Sequence, residues 1–140
     1  MGAFVFTDAD IEINTKDLSD LGISITVDLR LESQDVTAFG HTARATAPGL
    51  KTGDLQIEFL QDYATDKVDA TLGPVALDGS TFMVIIKPTK DAVSATNPSY
   101  TATMWVSSYQ PIGGSVGDQA KAPVTLANNG SAGWDRSTGA

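Results

Sequence analysis

From Leu21 to Glu32 the chain reads LGISITVDLRLE, and its polarity alternates without a break. Leu21, Ile23, Ile25, Val27, Leu29 and Leu31 are apolar. Gly22, Ser24, Thr26, Asp28, Arg30 and Glu32 are small, polar or charged. Side chains on a strand alternate faces with period two, so the pattern predicts one long strand, dry on one side and wet on the other. Its length is about twice that of a usual strand. Two uses fit it. One is an edge strand on an ordinary β-sandwich. The other is a strand in a sheet that continues beyond one subunit, its wet face toward a solvent-filled space.

On either side the pattern is more broken. Phe4 to Phe6 and Ile11 to Ile13 are short β-like pieces, and KDLSD (16–20) reads as a turn or single helical turn feeding the long strand. From Ser33 to Leu50 alternation disappears, and Gly40, Pro48 and Gly49 punctuate a segment expected to be a long loop. Alternation returns at Leu55, Ile57 and Phe59. A helix is predicted at about 65–73: Thr65 as cap, Asp66 near the positive end, Val68 and Leu72 on one face, and Gly73-Pro74 as its stop. Thr81 to Lys87 is apolar at both parities, as in a strand covered on both faces. Tyr100 to Tyr109 alternates again. Val116 to Ala127 is a further strand in which Pro123 marks an edge or bulged position. Asn128-Asn129-Gly130 predicts a hairpin turn into a last strand, Ala132 to Arg136. The sum is mainly β: an antiparallel β-sandwich or barrel with one short flanking α-helix, in a single domain spanning 1–140.

Composition changes this picture mostly by exclusion. A chain of 140 residues suits one domain, and with no cysteine it has neither disulfides nor thiolate chemistry. MGAFVFTDAD does not read as a signal peptide, and no apolar run approaches the roughly 20 residues that span a bilayer. The net charge is -8 and the nine Lys and Arg are scattered, which argues against a nucleic-acid binder. Excess negative charge usually means only solubility; it would also suit a surface past which DNA slides without adhering, and charge alone does not select between the two.

No enzymatic site is expected, and no cofactor. The single histidine, His41, lies in the long loop with no partner of a familiar catalytic pair. Asp62, Asp66 and Asp69 flank the predicted helix start, where acids have a structural reason to be. Asp8, Asp10 and Glu12 alternate like calcium ligands, but the required glycine and distal glutamate are missing. Gly113 to Gly117 is glycine-rich without the Lys-Ser/Thr of a phosphate loop. Trp105, Tyr109 and Trp134 could form an aromatic platform, but the favoured reading is that Trp105 and Tyr109 share one strand face and simply pack. A monomeric carbohydrate- or protein-binding β-sandwich module is therefore the alternative function.

Two blocks carry a family resemblance. The first is DVTAFGHTARATAPGLKTGDLQIEFLQDY followed by a short segment ending VDATL. The second is NPSYTATMWVSSYQPIGGSVGD followed by a strand and a glycine-containing turn. Their order and spacing, over roughly residues 17 to 136, resemble the major tail tube proteins of long-tailed, siphovirus-like phages and of phage-derived particles such as gene transfer agents. The resemblance implies a structural virion protein, made in the bacterial host cytoplasm, whose copies form hexameric rings stacked into a tube. Its implied partners are further copies, a tape measure, a tail terminator and baseplate or distal tail proteins. DNA would pass through the lumen without specific binding, and no membrane is involved. On this reading Ser24, Thr26, Asp28, Arg30 and Glu32 are lumen-facing candidates. Gln34, Asp35, Thr37, Phe39, His41 and Arg44, in the loop, are inter-subunit candidates.

Overall fold

In the computed structural model, residues 7–130 and 133–139 are described; the predicted strand Phe4 to Phe6 lies outside them. The elements are β1 (Asp10–Ile13), β2 (Lys16–Asp17), a 3-10 turn (Ser19–Leu21), β3 (Gly22–Asp35), β4 (Thr46–Leu60), α1 (Val68–Asp78), β5 (Phe82–Lys87), β6 (Ser99–Tyr109), β7 (Lys121–Asn128) and β8 (Asp135–Ser137). The strands form one antiparallel sheet in the order β2-β1-β5-β6-β7-β4-β3, with β8 also on β6. This is the mainly antiparallel β architecture with one helix that the sequence predicts.

The core is built from alternate residues of five strands. Ile11 and Ile13, Leu55 to Phe59, Phe82 to Ile86, Ala102 to Val106 and Ala122 to Leu126 each turn every second side chain inward, joined by Leu18 and by Val68 and Leu72 of α1. Leu18 and Ser19 bond back to Ile11, the Leu18 N–H donating to its carbonyl at 2.9 Å and the Ser19 Oγ accepting its N–H at 2.8 Å. A side chain at Gly22 would meet Ile11 within 2.8 Å. The start of β3 is thereby drawn onto β1, and the sheet curls until its two ends approach one another.

Four local expectations are corrected. The helix starts at Val68 rather than near Thr65, because Asp66 adopts a positive φ of 62° that no helix accommodates. It then runs through Gly73 and Pro74 to a left-handed cap at Gly79. An interior proline costs about 3 kcal/mol, and here the packing of Val75 and Ala76 on the core offsets it. Thr81 to Lys87 is not covered on both faces: α1 lies over β6, and Met83 stays exposed.

Pro123 sits on β7, which is interior, between β6 and β4. Its carbonyl accepts from the Gln110 N–H, beyond the end of β6. A strand residue's N–H and C=O point to the same neighbour, so the donor that proline lacks faces a place where the ladder has already stopped. Beside it, a register shift between Val106 and Ser108 supplies the bulge. Finally, the Asn128-Asn129-Gly130 segment is not a hairpin. The Asn129 N–H donates to the Thr103 carbonyl, and β8 pairs with Ser99 to Thr101, so the chain continues along β6 in the direction of β7. The Asn128 side chain bonds both backbone groups of Gly130, and Gly130 lacks the positive φ a type I′ turn needs. Ala132, where the last strand was expected to start, lies outside the described residues.

A partly buried polar network fixes the far end of β4. The Gln61 Nε2 donates to the Tyr109 hydroxyl at 3.1 Å and to the Pro111 carbonyl at 2.7 Å, and the Tyr109 hydroxyl donates to the Asp69 Oδ1 at 3.1 Å. Burial foremost, together with its bond to the Asp69 carboxylate, pushes the Tyr109 phenol up to about 12.

Candidate functional site

Strands β3 and β4 pair almost continuously from Gly22↔Phe59 to Asp35↔Thr46. The predicted long loop of 33–50 is therefore strand at both ends, and only residues 36 to 45 connect the two strands. The sequence hid this because β4 carries an extra residue opposite Glu32, near Gly49, which breaks the alternation there. β4 pairs with β7 only over Asp54 to Leu60. Beyond that point Leu29 to Asp35 and Thr46 to Gly53 stand as a two-stranded arm. β3 is also the last strand in the sheet order, so its outer edge offers a row of backbone groups with no strand partner among the described residues.

The two faces of this strand pair differ in chemistry. Paired residues share a face. On the face away from the core, Ser24 lies opposite Glu58, Thr26 opposite Gln56, Asp28 opposite Asp54 and Arg30 opposite Thr52. Thr125 of β7 extends it. The two opposed aspartates repel, and Arg30 offsets this by pairing with Asp28 at 2.7 Å. Lys121 lies 3.8 Å from Glu58. The structure thus places Ser24, Thr26, Asp28 and Arg30 together on one polar, mixed-charge surface. Glu32 is exposed beyond them, at the bulge.

The other face departs from expectation. The odd positions do not form a uniformly dry strip: only Leu21, Ile25 and Val27 pack against the core, and Leu29 and Leu31 are each more than half exposed. Among the described residues no strand continues the sheet beside the arm, so more than half of each side chain is left uncovered. With Lys51, Tyr100, Trp134 and Arg136 they line an open, mainly apolar cavity of about 350 Å³. Trp134 forms its floor against Gly53, where a Cβ would fall 2.5 Å from the indole Cδ1. Sequence reasoning did not find this cavity, because its walls come from four separate segments; Gly53, the one residue without a side chain on the inward face of β4, was the available signal.

The six loop candidates lie at or near the hairpin tip. Asp35 closes it: its carboxylate pairs with Arg44 and accepts the Thr37 N–H at 3.0 Å. The Thr37 backbone and hydroxyl, then Arg44, hold that carboxyl below its ordinary value. Thr37 also exchanges bonds with Ala45, and the His41 Nδ1 accepts the Ala38 N–H at 3.2 Å. Gln34 packs on Gly49. Phe39 touches nothing, at 107% relative exposure, beside Gly40 with φ of 94°.

The aromatic trio is not gathered into a platform. Trp105 lies on the face away from the core, Tyr109 in the Gln61–Asp69 network and Trp134 over Gly53.

No protein-family model matches the chain, and no curated protein matches it in sequence. Solved structures do match. The tail of an empty gene transfer agent particle, with C6 symmetry, contains a chain at TM-score 0.75 and 15% identity, covering 99% of this chain and 100% of that one. A chain from the virion of a native gene transfer agent particle matches at TM-score 0.76 and 14% identity, covering 95% and 99%. The SPP1 tail tube matches at TM-score 0.73 and 8% identity, covering 94% and 77%. The fold of this chain is the fold of those tail proteins.

Proposed function

We propose that the chain is the structural subunit of a phage-like tail tube, its copies closing into hexameric rings that stack around a channel for DNA. The observation that carries this reading is the β3–β4 pair: a 14-residue edge strand with an unpaired outer edge, a polar face, and an apolar face left uncovered within one chain. A monomer has no use for that combination, whereas a neighbour would pair the edge and bury the leucines. The near-complete overlap with a chain of a C6-symmetric tail supports the six-fold closure.

In this assembly the polar face of β3, with Ser24, Thr26, Asp28, Arg30 and Glu32, lines the lumen. Asp28, Glu32, Asp54 and Glu58 stand there against Arg30 and Lys121, so the lining carries a negative excess. Repeated around a ring and along a stack, it lies within about a Debye length (roughly 8 Å) of passing DNA, where screening is incomplete. The DNA meets no cluster of cations to hold it. The hairpin tip reaches neighbouring subunits. A tape measure inside, a terminator at one end and distal or baseplate proteins at the other complete the virion tail, and the subunit itself has no catalytic role.

Purified protein, concentrated alone or with a tail-initiating complex, forms rings or tubes of uniform width in negative-stain images and sediments as an oligomer. Monomers under every such condition would refute the proposal.

A further inference from the structure

The open cavity at the root of the arm is lined by two cross-strand pairs. On the arm Leu31 lies opposite Lys51, and on the strands beside it Tyr100 of β6 lies opposite Arg136 of β8. Paired residues share a face, so each pair presents one apolar side chain beside one cation. Leu29 lies opposite Gly53, and the space left by the missing side chain is taken by the Trp134 indole. The rim is cationic in a chain that is not. The chain has 17 Asp and Glu against nine Lys and Arg, yet no acidic residue lines this cavity. Among the described residues six of the nine cations are ion-paired, and Lys51 and Arg136 are two of the three that are not. Asp135, next to Arg136 on β8, alternates to the other face of the strand.

An apolar cleft with a few charged groups at its edge is the usual form of a small-molecule site, and about 350 Å³ is large enough for one. The unpaired cations set the ligand's charge as negative, and the apolar walls set its body as hydrocarbon. The volume equals about a dozen waters at roughly 30 Å³ each, which suits a chain of about ten carbons. We propose that the cavity binds a carboxylate carried on a medium-length hydrocarbon chain. The chain lies between Leu29, Leu31, Tyr100 and Trp134, and the carboxylate lies between Lys51 and Arg136. A bound chain takes out of water the two leucines that a single copy leaves more than half exposed. The site is complete within one copy, so this inference goes beyond the tail tube reading and does not depend on it.

Full-length protein, dilute enough to sediment as a monomer, is titrated calorimetrically with decanoate below its micellar range. Decyltrimethylammonium, with the same chain and the opposite charge, is the control. Non-specific uptake by a chain of net charge -8 favours the cation, whereas the proposed site favours the anion by about tenfold or more. A Trp105→Phe protein keeps Trp134 as its one tryptophan, and its emission changes along the same binding curve. Lys51→Gln with Arg136→Gln removes two exposed charges and keeps the melting temperature, while the affinity for decanoate falls about tenfold or more. Leu31→Ser leaves the rim intact and lowers the affinity through the wall. Equal binding of the two amphiphiles, binding unchanged in the double variant, or no saturable uptake overturns the proposal. Self-association that the double variant abolishes, without decanoate uptake, also overturns it by giving the cavity to a second copy. None of these results measures ring or tube formation, so the tail tube reading stands or falls separately.

Discussion

The Gly53–Trp134 contact provides the sharpest quantitative prediction. At Gly53 an added Cβ would lie 2.5 Å from Cδ1 and 2.7 Å from Nε1 of Trp134, and 2.9 Å from the Asp28 carbonyl oxygen. Carbon atoms pack comfortably at about 3.5–4.0 Å, so Gly53→Ala moves the indole by about 1 Å. The indole Nε1 is buried without a hydrogen-bond partner among the described residues, so within them packing alone holds the ring in place. Overpacking of this kind costs about 1–3 kcal/mol. Gly53 does not have a positive φ, so alanine regains about 0.4–1 kcal/mol by restricting the unfolded chain. The net expectation is a loss of about 1–2 kcal/mol. In a Trp134→Ala background the ring is gone and the 2.9 Å approach to the Asp28 carbonyl oxygen remains, so the same change costs less but still destabilises. Urea unfolding followed by far-UV circular dichroism on the four proteins gives the coupling, expected at about 1 kcal/mol or more. Equal losses in both backgrounds would show that Trp134 does not rest on Gly53, and the floor of the arm's cavity would have to be redrawn.

Three other outcomes are expected. Tyr109 has its pKa raised to about 12, so the folded state keeps its proton while the unfolded chain loses one near 10; stability contributed below pH 10 is lost as pH rises toward 12, and Tyr109→Phe flattens that part of the stability profile, read by denaturant titration at each pH. Asp28→Lys with Glu32→Lys removes one exposed ion pair, worth about 0–1 kcal/mol, so fold and assembly persist while DNA delivery slows; normal delivery, or an assembled structure with both residues on the outer wall, would refute the lumen assignment. Ile25→Asp places a charge opposite the buried Ile57 on a half-buried site and lowers stability by about 2 kcal/mol or more, checked by thermal unfolding of the monomer; an unchanged melting temperature would show that β3 packs elsewhere.

Period two was legible wherever it ran unbroken. It located β3, the inner half of β4, β6 and the inward faces of Leu55 to Phe59. It failed at register shifts, where one extra residue reverses parity: the bulge near Gly49 disguised a strand as a loop, and Leu31 and Lys51 went unrecognised as neighbours. Turn chemistry failed for a different reason. The positive φ angles of a two-residue hairpin fall on Asn14 and Thr15, between the paired Ile13 and Lys16, rather than on Asn129-Gly130. A β-branched threonine is a poor advertisement for such a turn, and the β1 ladder to β5 imposes it from outside.

Packing was the least legible feature, and the dry face of β3 shows why. Alternation states that a side chain prefers to leave water; it does not state which molecule will cover it. Ile25 and Val27 are covered by their own chain, while Leu29 and Leu31 carry the same signal and are not. The division falls where β7 ends, opposite Asp54. The pattern was therefore written for more sheet than one chain contains. An apolar stripe that outruns its own core costs a solitary monomer solubility for little stability, since the exposed halves of Leu29 and Leu31 contribute nothing to folding. Under the tail tube proposal its burial occurs on association, and that proposal places the energetic centre of the molecule at the arm, where one subunit would stop and the next begin.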